Sequence, residues 1–230
     1  IDVHETEKVY SLVTQLRDHV KYFKVGMELH NSLGPKILEM IYGLGGRVFL
    51  DLKFHDIPST VARAASVVTG HGVFMFNVHA AGGLEMMRAT VRAATERAEQ
   101  LRILRPVLLG MTVLTSIDER ILREEMGLNR TVEEQVVFWS RLSQEAGMDG
   151  VVASPREIQA VRQTCGPDFA IVTPGIRPSW ARTNDQRRVM TPGEAIRAGA
   201  DYLVIGRPIT EADNPAEAAR RILAEMEEGR

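Results

Sequence analysis

The chain has 230 residues, 44% of them hydrophobic and 25% charged, with a formal net charge of −2, an ordinary globular composition able to bury most of its apolar surface. No basic run exceeds a pair such as Arg187-Arg188, which excludes a broad nucleic-acid surface, and the one cysteine, Cys165, excludes an intramolecular disulfide and a cysteine-cluster zinc site. No apolar run reaches the roughly 18 residues of a membrane helix and no secretory leader is visible, so a reducing cytosol is the expected compartment and no membrane partner is expected.

Ile1-Asp2-Val3 reads as the tail of a strand whose start is truncated, and an amphipathic stretch follows over about Glu5–His19. Short apolar runs then recur at Tyr22–Val25, Val48–Leu52, Val73–Val78, Val107–Leu114, Val151–Ala153, Ala170–Val172 and Tyr202–Ile205, and these read as strands. Helical periodicity marks Pro35–Tyr42, Pro58–Thr69, Gly83–Arg97, Val132–Ala146 and Asn214–Glu228. No linker or composition break divides the chain. Strands alternating with helices build parallel sheets. Eight such units in a single domain over residues 1–230 predict a (β/α)8 TIM barrel, with an open doubly wound sheet as the alternative.

In a barrel, catalytic groups sit at the C-terminal ends of strands and in the loops just after them. The residues at those places are Asp2, Lys24, Asp51 with Lys53, Asn77 with His79, Thr112 with Thr115, Ser154, Thr173 and Arg207. The densest stretch is DLKFHDIPST, residues 51–60. Asp51 and Lys53 are two apart on a strand, so alternation points both to one side. Asp56 stands just before Pro58, a residue favoured in the first turn of a helix. Taken alone, the set also fits a helix cap at Asp56 and a loop ion pair between Asp51 and Lys53. Lys24 ends the neighbouring run, in FKVG, so four alternating charges converge on one mouth, as proton-transfer sites require.

The seventh run leads into VTPGIRP and the eighth into LVIGRPIT. Both carry a glycine and an arginine, Gly175 with Arg177 and Gly206 with Arg207, the recipe for a phosphate site at the usual place in barrels. Ordinary Gly/Pro turns with solvent-facing arginines are the alternative. Arg177–Met190 is long and polar with no strong helical pattern, the profile of a closing lid. Asp2-x-His4-Glu5 is explained as well by a helix start as by metal ligation. His55, His71 and His79 lack metal-site spacing, Gly43–Gly46 precedes a strand where a dinucleotide loop follows one, and Cys165 reads as part of a turn. The ten methionines are scattered and read as core fillers.

FLDLKFHDIPSTV, FKVGMEL, TVLTS, VTPGIRP, NDQRRVMTP and IGRPIT together resemble the orotidine 5′-phosphate decarboxylase family along the whole chain. The resemblance implies decarboxylation of orotidine 5′-monophosphate to UMP, the last step of pyrimidine nucleotide synthesis, by a homodimer of barrels with shared sites and no metal or organic cofactor. It implies Lys53 as proton donor to C6, with Lys24, Asp51 and Asp56 completing the charged array. Asp56 and Thr60 would come from the partner subunit, and Ile57 would join the substrate-binding set. Asp2 and Lys24 would hold ribose hydroxyls and Thr115 the base. Gln186 would reach from the lid, and Arg177, Gly206 and Arg207 would contact the phosphate. A magnesium-dependent sugar-phosphate decarboxylase or aldolase of the same superfamily shares D-x-K-x-x-D, and a noncatalytic phosphate-binding barrel is the alternative outside catalysis.

Overall fold

Seven strands lie in one parallel sheet in strict sequence order in the structure, a computed structural model that describes residues 1, 5–181 and 190–230. They are β1 (Tyr22–Gly26), β2 (Arg47–Phe54), β3 (Met75–His79), β4 (Val107–Met111), β5 (Gly150–Val152), β6 (Ala170–Thr173) and β7 (Tyr202–Leu203). Parallel neighbours in sequence order, each reached through a helical crossover, follow the (β/α)8 barrel pattern, with seven strands among the described residues. The expected first strand falls largely on residues outside those described. The Ile1 amino group donates to the Lys24 carbonyl at 2.8 Å, along the edge of β1.

The alternation within each strand explains why the apolar runs close a barrel. Val48 and Leu50 of β2, Phe76 and Val78 of β3, and Leu108 of β4 face outward into the layer shared with the helices. Phe49, Met75, Leu109, Met111, Val152 and Val172 face inward and fill the barrel. Both faces are therefore apolar, as buried parallel strands require. Burying each such side chain contributes about 1.5–3 kcal/mol before chain entropy is counted. Tyr22, Phe74 and Tyr202 close the floor, with Tyr22 stacked on Phe74 at 4.4 Å between ring centres.

The helices are α1 (Thr6–Leu16), α2 (Met27–Leu33), α3 (Lys36–Gly43), α4 (Pro58–Gly70), α5 (Gly83–Leu101), α6 (Val132–Glu145), α7 (Ile158–Cys165), α8 (Pro192–Ala198), α9 (Arg207–Thr210) and α10 (Pro215–Glu227). Capping boxes start α6, between Thr131 and Glu134, and α8, between Thr191 and Glu194. The periodicity marks α1, α3, α4, α5, α6 and α10 but misses α2, α8 and α9, each seven residues or fewer, and the eight-residue α7. Cys165, expected in a turn, is the buried last residue of α7, which Gly166 then ends. Among the described residues no helix is long and apolar enough to cross a membrane.

Candidate active site

The inward rows that are apolar through the barrel become polar at the C-terminal end of the strands. Lys24 on β1, Asp51 on β2 and Asn77 on β3 occupy inward positions there, and Lys53 lies two residues further along β2. The Asp51 carboxylate is buried between two ammoniums: Lys53 Nζ lies 2.8 Å from Oδ1 and Lys24 Nζ lies 3.3 Å from Oδ2. The buried Asn77 amide adds a third contact, donating from Nδ2 to Asp51 Oδ1 at 2.7 Å. Burial by itself would push the Asp51 carboxyl up. The Lys24 charge, hydrogen bonds from Lys53 and Asn77, and the Lys53 charge outweigh it and hold the group below its ordinary value.

Lys53 reaches this position by a different route from the one expected. Strand alternation does not carry it, because its φ is +54° and the pairing of β2 with β3 slips between Leu50 and Phe54. A left-handed conformation at a residue with a Cβ costs about 1–2 kcal/mol. The Asn77 side chain compensates by accepting the Lys53 backbone N–H at 2.8 Å. Strain held by surrounding contacts is characteristic of functional positions. Nearby, His79 packs against His55 with ring centres 5.5 Å apart. Burial, then repulsion from His55 and Lys53, lower the His79 pKa against the pull of Asp51, which favours the neutral ring.

Lys24, Asp51 and Lys53 line one end of a cavity of about 390 Å³. Arg177, Gly175, Gly206 and Arg207 line it from the loops after β6 and β7, and Thr115 and Ser154 complete its polar wall. Met111, Val152, Ile176 and Val204 make the stretch between them apolar. Gly175 has φ +79°, a conformation that disfavours any side chain at this turn. Arg177 is buried, and its N–H donates to the Met190 carbonyl at 3.0 Å, tying together the two ends of the segment expected to be a lid. Cationic ends flanking an apolar slot suit a ligand with a planar ring and a distant anion.

Seven of the expected site residues thus meet in one cavity: Lys24, Asp51, Lys53, Thr115, Arg177, Gly206 and Arg207. Asp56, Ile57 and Thr60 do not line it. Asp56 is exposed and accepts the Ile57 N–H at 2.6 Å, while Ile57, not Asp56, takes the cap position of α4. Thr60, half-buried in the first turn of that helix, accepts from Arg63 at 3.3 Å. Asp2 and Gln186 lie outside the described residues. Two contributors had no assigned role in the sequence. Asn77 was visible only as a polar residue at an inward position of an apolar strand, and Ser154 donates its hydroxyl to the buried carboxylate of Glu157. Among the described residues, no three of His, Cys, Asp and Glu gather as metal ligands would.

The family model described as orotidine 5′-phosphate decarboxylase / HUMPS family matches residues 1–222. A relative named orotidine 5′-phosphate decarboxylase from Syntrophomonas wolfei is 55% identical over 99% of this chain and 96% of its own length. One of the same name from Heliobacterium modesticaldum is also 55% identical, over 100% of this chain and 94% of its own. The crystal structure of orotidine 5′-phosphate decarboxylase from Lactobacillus acidophilus superposes with a TM-score of 0.87 at 34% identity, covering 98% of this chain and 96% of that one.

Proposed function

The chain belongs to the orotidine 5′-phosphate decarboxylase / HUMPS family, and we propose on that basis that it converts orotidine 5′-monophosphate to UMP, with Lys53 delivering the proton to C6. The observation that carries the reading is the Lys53–Asp51–Lys24 array at one end of a cavity whose other wall holds Arg177 and Arg207.

Loss of CO2 from C6 of the pyrimidine leaves an electron pair in the ring plane, out of conjugation with the ring carbonyls. Fixed charge must therefore do the stabilising, and preorganised groups in a site screened from water do it best. The Lys53 ammonium faces the developing carbanion, transfers one N–H proton to C6 and is reprotonated from solvent. Asp51 holds that ammonium in place through its Oδ1, and Lys24 pairs with the second carboxylate oxygen. The reaction so written uses no metal and no organic cofactor.

At the far end, Arg177, Gly206 and Arg207 hold the phosphate, with Gln186 joining from the intervening segment. Thr115 contacts the base, and Asp2 and Lys24 hold the ribose hydroxyls. Binding energy from the phosphate goes into ordering the reacting end. Asp56 and Thr60 serve the site of the partner subunit in a homodimer, and Ile57 joins the substrate-binding set. The exposure of Asp56 supports this, as does that of Ile57, an apolar side chain left 63% exposed. A cytoplasmic location belongs to the same proposal. Mixing the protein with orotidine 5′-monophosphate and following the ultraviolet spectrum tests the reading. One UMP and one CO2 formed per substrate is the expected result, and an unchanged substrate overturns it.

A further inference from the structure

We propose that Asn77 is a positioning residue of this reaction: one buried amide fixes the backbone of Lys53 and the carboxylate of Asp51 together. The proposal rests on the decarboxylase reading, but its geometry is independent of it. Asn77 is 0% exposed, and both ends of its amide are committed to the reacting array. Oδ1 accepts the Lys53 backbone N–H at 2.8 Å, and Nδ2 donates to Asp51 Oδ1 at 2.7 Å.

Few side chains can do both. The task needs an acceptor atom and a donor atom side by side on one short rigid group, which an amide supplies; an ionised carboxylate lacks the donor and a hydroxyl has one oxygen for both. Each contact has a consequence for the chemistry. The slip between Leu50 and Phe54 takes Lys53 out of the regular β2–β3 ladder, so its N–H needs a side-chain acceptor at that point. Without that acceptor, the Lys53 N–H loses its contact with β3, and relaxation toward extended backbone re-aims its side chain. The donor end fixes the rotation of the Asp51 carboxylate, so that Oδ1 faces Lys53 and Oδ2 faces Lys24. The phosphate grip on β6 and β7 takes no part in this.

Asn77→Ala and Asn77→Asp test the proposal, with circular dichroism and UMP affinity measured alongside turnover. Asn77→Ala should lower kcat by about 10²-fold, the order expected when a reacting group is displaced by about 1 Å. UMP affinity should stay within about threefold, a free-energy change of under ~0.7 kcal/mol. The acid limb of the pH profile should also move to higher pH. The groups facing Asp51 would then be Lys24 and Lys53, with His79 beside them, and the hydrogen bond from Asn77 would be gone. A residue that only supports the fold would lower activity and UMP affinity together and leave the pH limb in place. If Asn77→Ala does not fold, the near-isosteric Asn77→Asp decides. It keeps an acceptor for Lys53 but not the donor for Asp51, and the same loss of kcat with a raised acid limb is expected. Folded variants that keep kcat within about threefold of wild type, or lose it equally at every pH, overturn the inference. Hydrogen exchange separates this outcome from failure of the decarboxylase reading. The Lys53 amide should exchange at least about tenfold faster in Asn77→Ala whether or not the wild type turns over orotidine 5′-monophosphate. An unchanged rate overturns the clamp.

Discussion

Lys53 Nζ stands 2.8 Å from Oδ1 of Asp51, and the same carboxylate meets Lys24 through its other oxygen at 3.3 Å. One buried acid between two cations leaves a net positive charge at the mouth of the barrel. That charge suits a site that must hold a substrate carboxylate and then a carbanion.

Replacing that proton donor should be nearly complete in effect. Lys53→Ala is expected to lower turnover far beyond tenfold, a barrier change well above ~1.4 kcal/mol. The folded variant should still bind UMP, because the proposed phosphate contacts belong to the loops after β6 and β7. Steady-state turnover together with UMP titration checks both halves. Retention of more than about a tenth of wild-type turnover removes Lys53 from the role.

The Asp51 carboxyl has a definite sign in stability. Its folded pKa lies below the ordinary value of 3.8, so its contribution is fully present above that value and is lost as the pH falls through the lower folded value. The stability difference between wild type and Asp51→Asn, from urea unfolding, should therefore be constant near neutrality and shrink on acidification below about pH 4. A gap that widens in acid contradicts the described environment of Asp51.

At the other end of the cavity, Arg207→Ala should weaken the handling of orotidine 5′-monophosphate while hardly altering that of phosphate-free orotidine. A charge-assisted phosphate contact contributes roughly 1.5–3 kcal/mol, so kcat/KM should fall by about 10–100-fold for the phosphorylated substrate alone. Equal losses for both substrates would make Arg207 a support of the fold.

The alternation of strands and helices is legible because the strands are apolar on both faces, so each stands out as a short run whatever its register. The charged mouth is legible too, since Lys24, Asp51 and Lys53 lie at the ends of those runs. The way Lys53 gets there is not. Simple alternation leads to the same side of the sheet, but the chain arrives through a left-handed residue and a slipped ladder. Asn77 stayed without a role because its partners lie 24 and 26 residues away and only the barrel brings them together. The short helices α2, α8 and α9 escaped because seven residues or fewer carry too little periodicity to read, whereas α7 buries Ile158, Val161 and Cys165 on one legible face.

Subunit sharing predicts complementation. If Asp56 acts in the partner's site, Lys53→Ala and Asp56→Ala homodimers are both nearly dead. In a mixed dimer, one site then carries both lesions and the other carries neither. Random pairing after subunit exchange restores about one quarter of all sites. If exchange is confirmed independently and no activity returns, Asp56 serves its own chain.

The central claim is that fixed charge on this chain suffices to decarboxylate orotidine 5′-monophosphate. The most direct measurement is the initial rate of UMP formation by protein treated with excess EDTA and freed of it, before and after magnesium is added. The account predicts full activity in the stripped protein and no gain from magnesium. Activity that vanishes on stripping and returns with magnesium contradicts it and points to metal-assisted chemistry at the same mouth.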